Sequence, residues 1–279
     1  MIFRRIVKFL NSRKPPAWML RIGKRLRFVI SVVALTGLML FSTFFTDIAF
    51  IDKALIFTPI FVVAIYFFTY FSILEGIEDT EWITLFLMPL AFTLSAFFFY
   101  NLIPIRWLTR IPFIPFYGAS IYFILLTSNI FNVGAEKNIQ LYRAAFSVNY
   151  LYQTIVMFLF FNTLLALSLN FLINAVVAAI IVSPLALQYF WSIKLQMKFN
   201  REHILLALLL GLVVGQAALV FSFVPFTQTV LALVLTAVYY SVAGLTYAYL
   251  DLRLFKETIR EYIIVLVFVL AIGALSIRW

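Results

Sequence analysis

The sequence predicts an all-α, polytopic bundle of about nine membrane-crossing helices, N-terminus inside and C-terminus outside, led by a basic amphipathic helix at the interface. Three observations carry that prediction. The chain is 65% hydrophobic and only 11% charged, against roughly 45–50% and about 25% in soluble domains. Nine apolar runs reach or approach the roughly 20 residues that a hydrocarbon layer of about 30 Å demands: 28–45, 54–74, 82–102, 113–133, 146–168, 171–193, 204–224, 229–250 and 262–277. With the N-terminus placed inside, all of the 21 basic residues except Lys53, Arg106, Arg110 and Arg278 fall on inner segments, as the positive-inside rule requires. The location expected is integral to a membrane, with the N-terminus on its cytoplasmic side.

Two regions follow from this, a basic segment over 1–27 and a single transmembrane domain over 28–279. In the first, Ile2, Phe3, Ile6, Val7, Phe9 and Leu10 recur at helical spacing among Arg4, Arg5 and Lys8, until Pro15 and Pro16 stop the helix. A helix of this kind lies in the interface, and each cation gains about 1 kcal/mol against anionic lipid. Anionic inner-leaflet lipids are therefore the expected partners, and the basic excess needs no nucleic acid to explain it. The basic region is too long for a cleaved signal peptide, and "FSTFFTDIAF" offers no A-x-A-like site. Trp18, Trp82, Trp107, Trp191 and Trp279 all fall at segment edges, where an indole N–H reaches water while the ring stays in the acyl boundary.

Spans two and three flank "LEGIEDTEW", an acidic inner loop with Glu75, Glu78, Asp79 and Glu81. Acidic residues hardly influence topology, so the loop reads as a solvated turn in which Asp79 or Thr80 caps helix three; a divalent-cation site is the alternative. "NLIPIRWLTRIPFIPF" is the clearest outer loop, with Pro112 and Pro115 leading into the first turn of helix four. Arg106 and Arg110 snorkel to headgroups in the plainest reading, and capture of an external anion is the other.

The run "SNIFNVGAEKNIQLYRAAFSVNYLYQ", 128–153, is the most polar part of the apolar region. Wound as one helix, Asn129, Asn132, Glu136, Gln140 and Arg143 share an arc of about 80°. That stripe predicts an amphipathic extension joining helices four and five, with Arg143 able to pair with Glu136. Asn149, Gln153 and Asn162 carry the amides deeper into span five. Buried amides in lipid hydrogen-bond between helices for about 0.6 kcal/mol each; the competing reading is the lining of a polar substrate path.

Farther on, Ala207, Gly211 and Gly215 recur every four residues in span seven, and Ser241 and Gly244 lie on a small face of span eight. Small faces let helices approach closely in lipid, so the two spans are expected to pair as a tight antiparallel hairpin. Pro59, Pro89 and Pro184 lie inside spans, where kinks near Pro89 and Pro184 are expected. The last span is short and would depend on tilt or its flanks.

Groups for familiar chemistry are scarce. Cysteine is absent and His203 is the single histidine, which excludes a zinc site of several N or S ligands and a Ser-His base at membrane depth. The deeper span positions carry no Asp or Glu, the usual residues of proton relays. No catalytic residue, metal or cofactor is therefore assigned. The leading reading is a non-enzymatic scaffold or a lipid- or partner-binding protein. The alternative is a permease or flippase with an amide-lined path among spans three to six. A membrane enzyme acting on a lipid-linked substrate comes third.

"LEGIEDTEWITLFLMPL", "RWLTRIP" and "SNIFNVGAEKNIQLYRAAFSVNYLYQTIVMFLFFNTLL" resemble an uncharacterised family of multi-pass membrane proteins from candidate-phylum bacteria with reduced genomes. The likeness covers roughly residues 70–165, with "NIFNV" and "RAA" its most distinctive part. It implies a host with one membrane and carries no activity, ligand or site residue.

Overall fold

The computed structural model describes residues 19, 21–45, 49–74, 77, 81–103, 107–133, 139–194 and 200–277. Among these residues the chain is all-α, with nine helices and no strand. They are α1 (Lys24–Ser42), α2 (Phe50–Ile73), α3 (Glu81–Tyr100), α4 (Trp107–Val133), α5 (Ile139–Ala166), α6 (Phe171–Lys194), α7 (Arg201–Phe221), α8 (Gln228–Leu250) and α9 (Lys256–Leu275). Every one of the nine is long and apolar enough to cross a membrane. The expected interfacial helix over the first sixteen residues, and Glu75, Glu78, Asp79, Thr80, Arg106, Glu136 and Arg278, lie outside the described residues.

Helix boundaries depart from the apolar runs where polar or proline residues open a helix. α9 begins at Lys256, six residues before its run, because Lys256, Glu257, Arg260 and Glu261 occupy its first turns. It is therefore a full 20 residues long. α4 begins at Trp107 with Pro112 and Pro115 inside it, rather than at a loop ending on them. The N–H groups that the two prolines lack would have met the carbonyls four residues back, on Leu108 and Ile111. Both of those residues are exposed, 80% and 65%.

Packing divides the chain into two compact units, one up to Asn149 and one from Tyr150 onward. In the first, α1 lies against α2 and α4, and α3 lies against the same two helices. Its core is largely aromatic: Phe57, Phe61 and Phe97 meet at tilted angles, and Phe92 stacks on Tyr117. Such pairs add about 0.5–1.5 kcal/mol beyond burial. Hydroxyls inside this core find partners across helices. Ser72 donates to Ser31 Oγ at 2.8 Å, Thr93 and Tyr117 share a hydrogen bond of 2.9 Å, and Ser128 donates to the Leu85 carbonyl at 3.1 Å.

In the second unit α6 pairs with α7, and α8 packs against α9, α7 and α6. Asn200 caps α7, its side chain accepting from the Glu202 N–H. α8 ends in a Schellman turn: Leu252 takes a left-handed φ of 56°, its N–H reaches the Tyr249 carbonyl, and the Arg253 N–H reaches the Ala248 carbonyl at 2.8 Å.

α7 and α8 pack on one another, but Gly211 and Gly215 of α7 and Gly244 of α8 turn to other helices. A Cβ on Gly211 would strike Ser183 Oγ and come within 2.7 Å of the Ala179 carbonyl, and one on Gly215 would come within 2.9 Å of the Ala175 carbonyl. Those partners all belong to α6. A Cβ on Gly244 would strike the Tyr262 ring, and Ser241 donates to the Tyr262 carbonyl at 3.2 Å. The stripe of α8 therefore serves α9. Periodicity shows that a helix has a small face, and the fold chooses the neighbour that uses it.

Candidate functional site

Gln153 is fully buried on α5 and centres the main polar cluster of the second unit. Its amide nitrogen donates to the Leu185 carbonyl at 2.9 Å and to Gln188 Oε1 at 2.6 Å, both on α6. Its Oε1 accepts from the Tyr239 hydroxyl of α8 at 2.7 Å. Both amide hydrogens and one carbonyl lone pair are thus engaged by two neighbouring helices, α6 and α8. Tyr150, three residues earlier on the same face of α5, donates its hydroxyl to the Tyr240 carbonyl at 2.6 Å.

A ladder of phenol rings extends this cluster. Tyr150 stacks on Tyr189 at 4.9 Å and on Tyr240 at 5.0 Å. Tyr189 continues to Tyr247 at 6.0 Å, and Tyr240 to Tyr262 at 5.5 Å. The run Tyr247–Tyr189–Tyr150–Tyr240–Tyr262 therefore threads α8, α6, α5, α8 and α9. The bonds of Gln153, Tyr239 and Tyr150, with the stacked rings, hold α5, α6 and α8 in register. Among the described residues no three His, Cys, Asp or Glu side chains converge to hold a metal.

Of the amides singled out by sequence, Gln153 alone joins this cluster through the bonds just described. Asn162 is buried two to three turns along α5 and donates to the Phe158 carbonyl of its own helix at 2.9 Å. Asn149 is buried at the end of the first unit. The predicted stripe from 129 to 143 is divided between two helices. Asn129 and Asn132 sit half-buried in the last turns of α4, and Gln140 and Arg143 lie exposed in the first turns of α5. Residues between the two helices, with Glu136 among them, lie outside the described set. Glu81 opens α3, half-buried.

Sequence reasoning missed Gln188 and all the tyrosines. Gln188, Tyr239 and Tyr150 meet their hydrogen-bond partners 35, 86 and 90 residues away along the chain, so local spacing holds no record of them. The one available signal was density: "VYYSVAGLTYAY" places Tyr239, Tyr240 and Tyr247 within a single helix.

Comparison with known proteins agrees with an uncharacterised family. No curated protein and no solved structure matches the chain. Residues 115–276, more than half the chain, match a family described as "Protein of unknown function (DUF5656)". The match overlaps the resembling block from residue 115 onward and runs on through α9, so it contains the whole Gln153 and tyrosine cluster. The chain belongs to this family of unknown function.

Proposed function

We propose that the protein is a non-enzymatic integral protein of the bacterial inner membrane, N-terminus inside, which scaffolds a partner or binds lipid. The apolar length of all nine helices supports the membrane placement, as does the grouping of Arg21, Lys24, Arg25, Arg27, Arg143, Arg201, Arg253, Lys256 and Arg260 at ends that alternation assigns to one side. One observation supports architecture over transport most directly. The Gln153 amide is buried with its hydrogens and its oxygen engaged by Leu185, Gln188 and Tyr239, which leaves it no free donor to offer a passing solute.

Reconstitution separates the readings. In proteoliposomes holding the wild-type chain, no flux of ions, sugars or amino acids above protein-free vesicles is expected. Gln153→Leu, Asn129→Ala and Asn132→Ala are expected to lower thermal stability in detergent without creating or removing any flux. A solute flux that these substitutions abolish would establish the amide-lined permease instead.

A further inference from the structure

α7 exposes an amide well inside its length. Gln216 is the sixteenth of its 21 residues, and its side chain is exposed. The other exposed amides among the described residues, Gln140, Asn170, Asn200 and Gln228, all lie at helix starts. About 7.5 Å of helix separates Gln216 from Phe221, and Phe223 and Val224 carry the apolar chain farther. On the proposed membrane placement the side chain therefore stands in hydrocarbon, which offers an amide neither donor nor acceptor.

The amide belongs to a regular stripe. Leu205, Leu209, Leu212, Gln216 and Leu219 follow at steps of 4, 3, 4 and 3 and share an arc of about 80°. Leu205, Leu209 and Leu212 are 52%, 56% and 51% exposed. α6 and α8 pack against α7 elsewhere, α6 over Gly211 and Gly215. Beside the stripe, Ala175, Ala179 and Ser183 of α6 and Leu212, Gly215 and Gln216 of α7 line an open, mainly apolar groove. The small side chains on its α6 wall leave room for the side chains of another helix.

We infer that this face of α7 docks on the same face of a second copy of the chain, forming a twofold dimer within the membrane. Three features select that occupant. Both copies insert the same way, so their α7 helices run parallel and hold Gln216 at equal depth. Steps of three and four make the seam of parallel helices packed knobs into holes, the commonest crossing in membrane bundles. A carboxamide both donates and accepts, so the two Gln216 side chains satisfy each other across the axis, as an isologous contact requires. An acyl chain in the groove would leave the amide bare. α9 is covered still less, but its outward Ile263, Ile264, Val267 and Phe268 are apolar, and hydrocarbon alone satisfies them. The inference names a partner for the proposed scaffold and rests on its membrane placement.

The test uses the full chain in liposomes, with subunits counted by single-molecule photobleaching over a range of protein-to-lipid ratios. The wild type is expected to dimerise. Gln216→Leu is expected to dimerise about five- to tenfold more weakly, the loss of two interhelical hydrogen bonds. Its thermal unfolding in detergent is expected to be no lower, since Gln216 is exposed in its own chain. In this cysteine-free chain, oxidation is expected to cross-link Leu212→Cys and to leave Ile264→Cys uncoupled. A wild type that is monomeric at every ratio overturns the inference, whether lipid or another protein covers the stripe. So does a dimer that is indifferent to Gln216→Leu, or one that cross-links at Ile264 instead of Leu212. Alkaline carbonate separates the two failures: a chain stripped from the vesicles fails the membrane placement and the dimer together, whereas a retained monomer fails the dimer alone.

Discussion

Tyr239 donates its hydroxyl proton to Gln153 Oε1 across the interface of α8 and α5 at 2.7 Å, with both side chains completely buried. The bond ties together residues 86 positions apart. Tyr239→Phe deletes the donor and leaves the amide oxygen without it, an unbalanced loss of about 1–3 kcal/mol. Gln153→Leu orphans the Tyr239 hydroxyl and also takes the donors from Gln188 Oε1 and the Leu185 carbonyl, so its loss is the larger of the two. Thermal unfolding in detergent is expected to show the double variant no worse than the poorer single one. Strict additivity of the two losses would disprove the coupling.

Gly211 and Gly37 make a matched pair on two helices. A Cβ on Gly211 enters the Ala179 carbonyl of α6, whereas a Cβ on Gly37 of α1 meets nothing within 4 Å. Gly37→Ala is expected to stabilise the chain by about 0.5–1 kcal/mol through helix propensity. Gly211→Ala is expected to destabilise it by about 1–3 kcal/mol, because backbone has to give way. Opposite shifts in melting temperature check both statements, and a gain from Gly211→Ala contradicts the close α6–α7 approach.

Leu252 offers a stabilising change with nothing to lose in packing. It is 90% exposed and holds a φ of 56° at the turn that ends α8. A β-carbon in that region costs about 1–2 kcal/mol, so Leu252→Gly is expected to raise the melting temperature. An unchanged or lower value would show that the left-handed turn is not maintained in solution.

Because the chain has no cysteine, a single introduced thiol is a unique reporter of sidedness. With the N-terminus inside, Phe44→Cys and Thr227→Cys are expected to react with a membrane-impermeant maleimide added to intact cells. Arg201→Cys and Arg253→Cys are expected to react only after the membrane is opened. The reverse pattern inverts the proposed orientation.

Helix existence was legible throughout because each run of apolar residues is long, and length is what distinguishes a crossing helix from a buried strand or core segment. Boundaries were legible only where polarity changes sharply. Lys256 and Arg260 disguised the start of α9, and Pro112 and Pro115 disguised the start of α4. The candidate site was legible only at its centre. Gln153 stood out as an amide at depth, while Gln188 and Tyr189 of α6 and Tyr239 of α8 became partners through folding. Tyrosine counts as apolar in a hydropathy profile, so its hydroxyl leaves no trace there. For Gly211 the sequence displayed a small face, and the neighbour, Ser183 and Ala179, was a matter of tertiary choice.

α8 and α9 lie side by side and carry opposite constraints. Of the most apolar stretch of α8, 61% is buried within the chain, against 6% for α9, whose one buried residue is Gly273. Selection therefore reads α8 letter by letter and α9 mostly by its oiliness. Apart from Gly273, which faces Phe226 and Val234, and Tyr262 in the ring ladder, the positions of α9 are synonyms within the apolar alphabet. Relatives are expected to keep the spelling of α8 and rewrite α9, so that an alignment of the family thins out at the helix that the rest of the chain covers least.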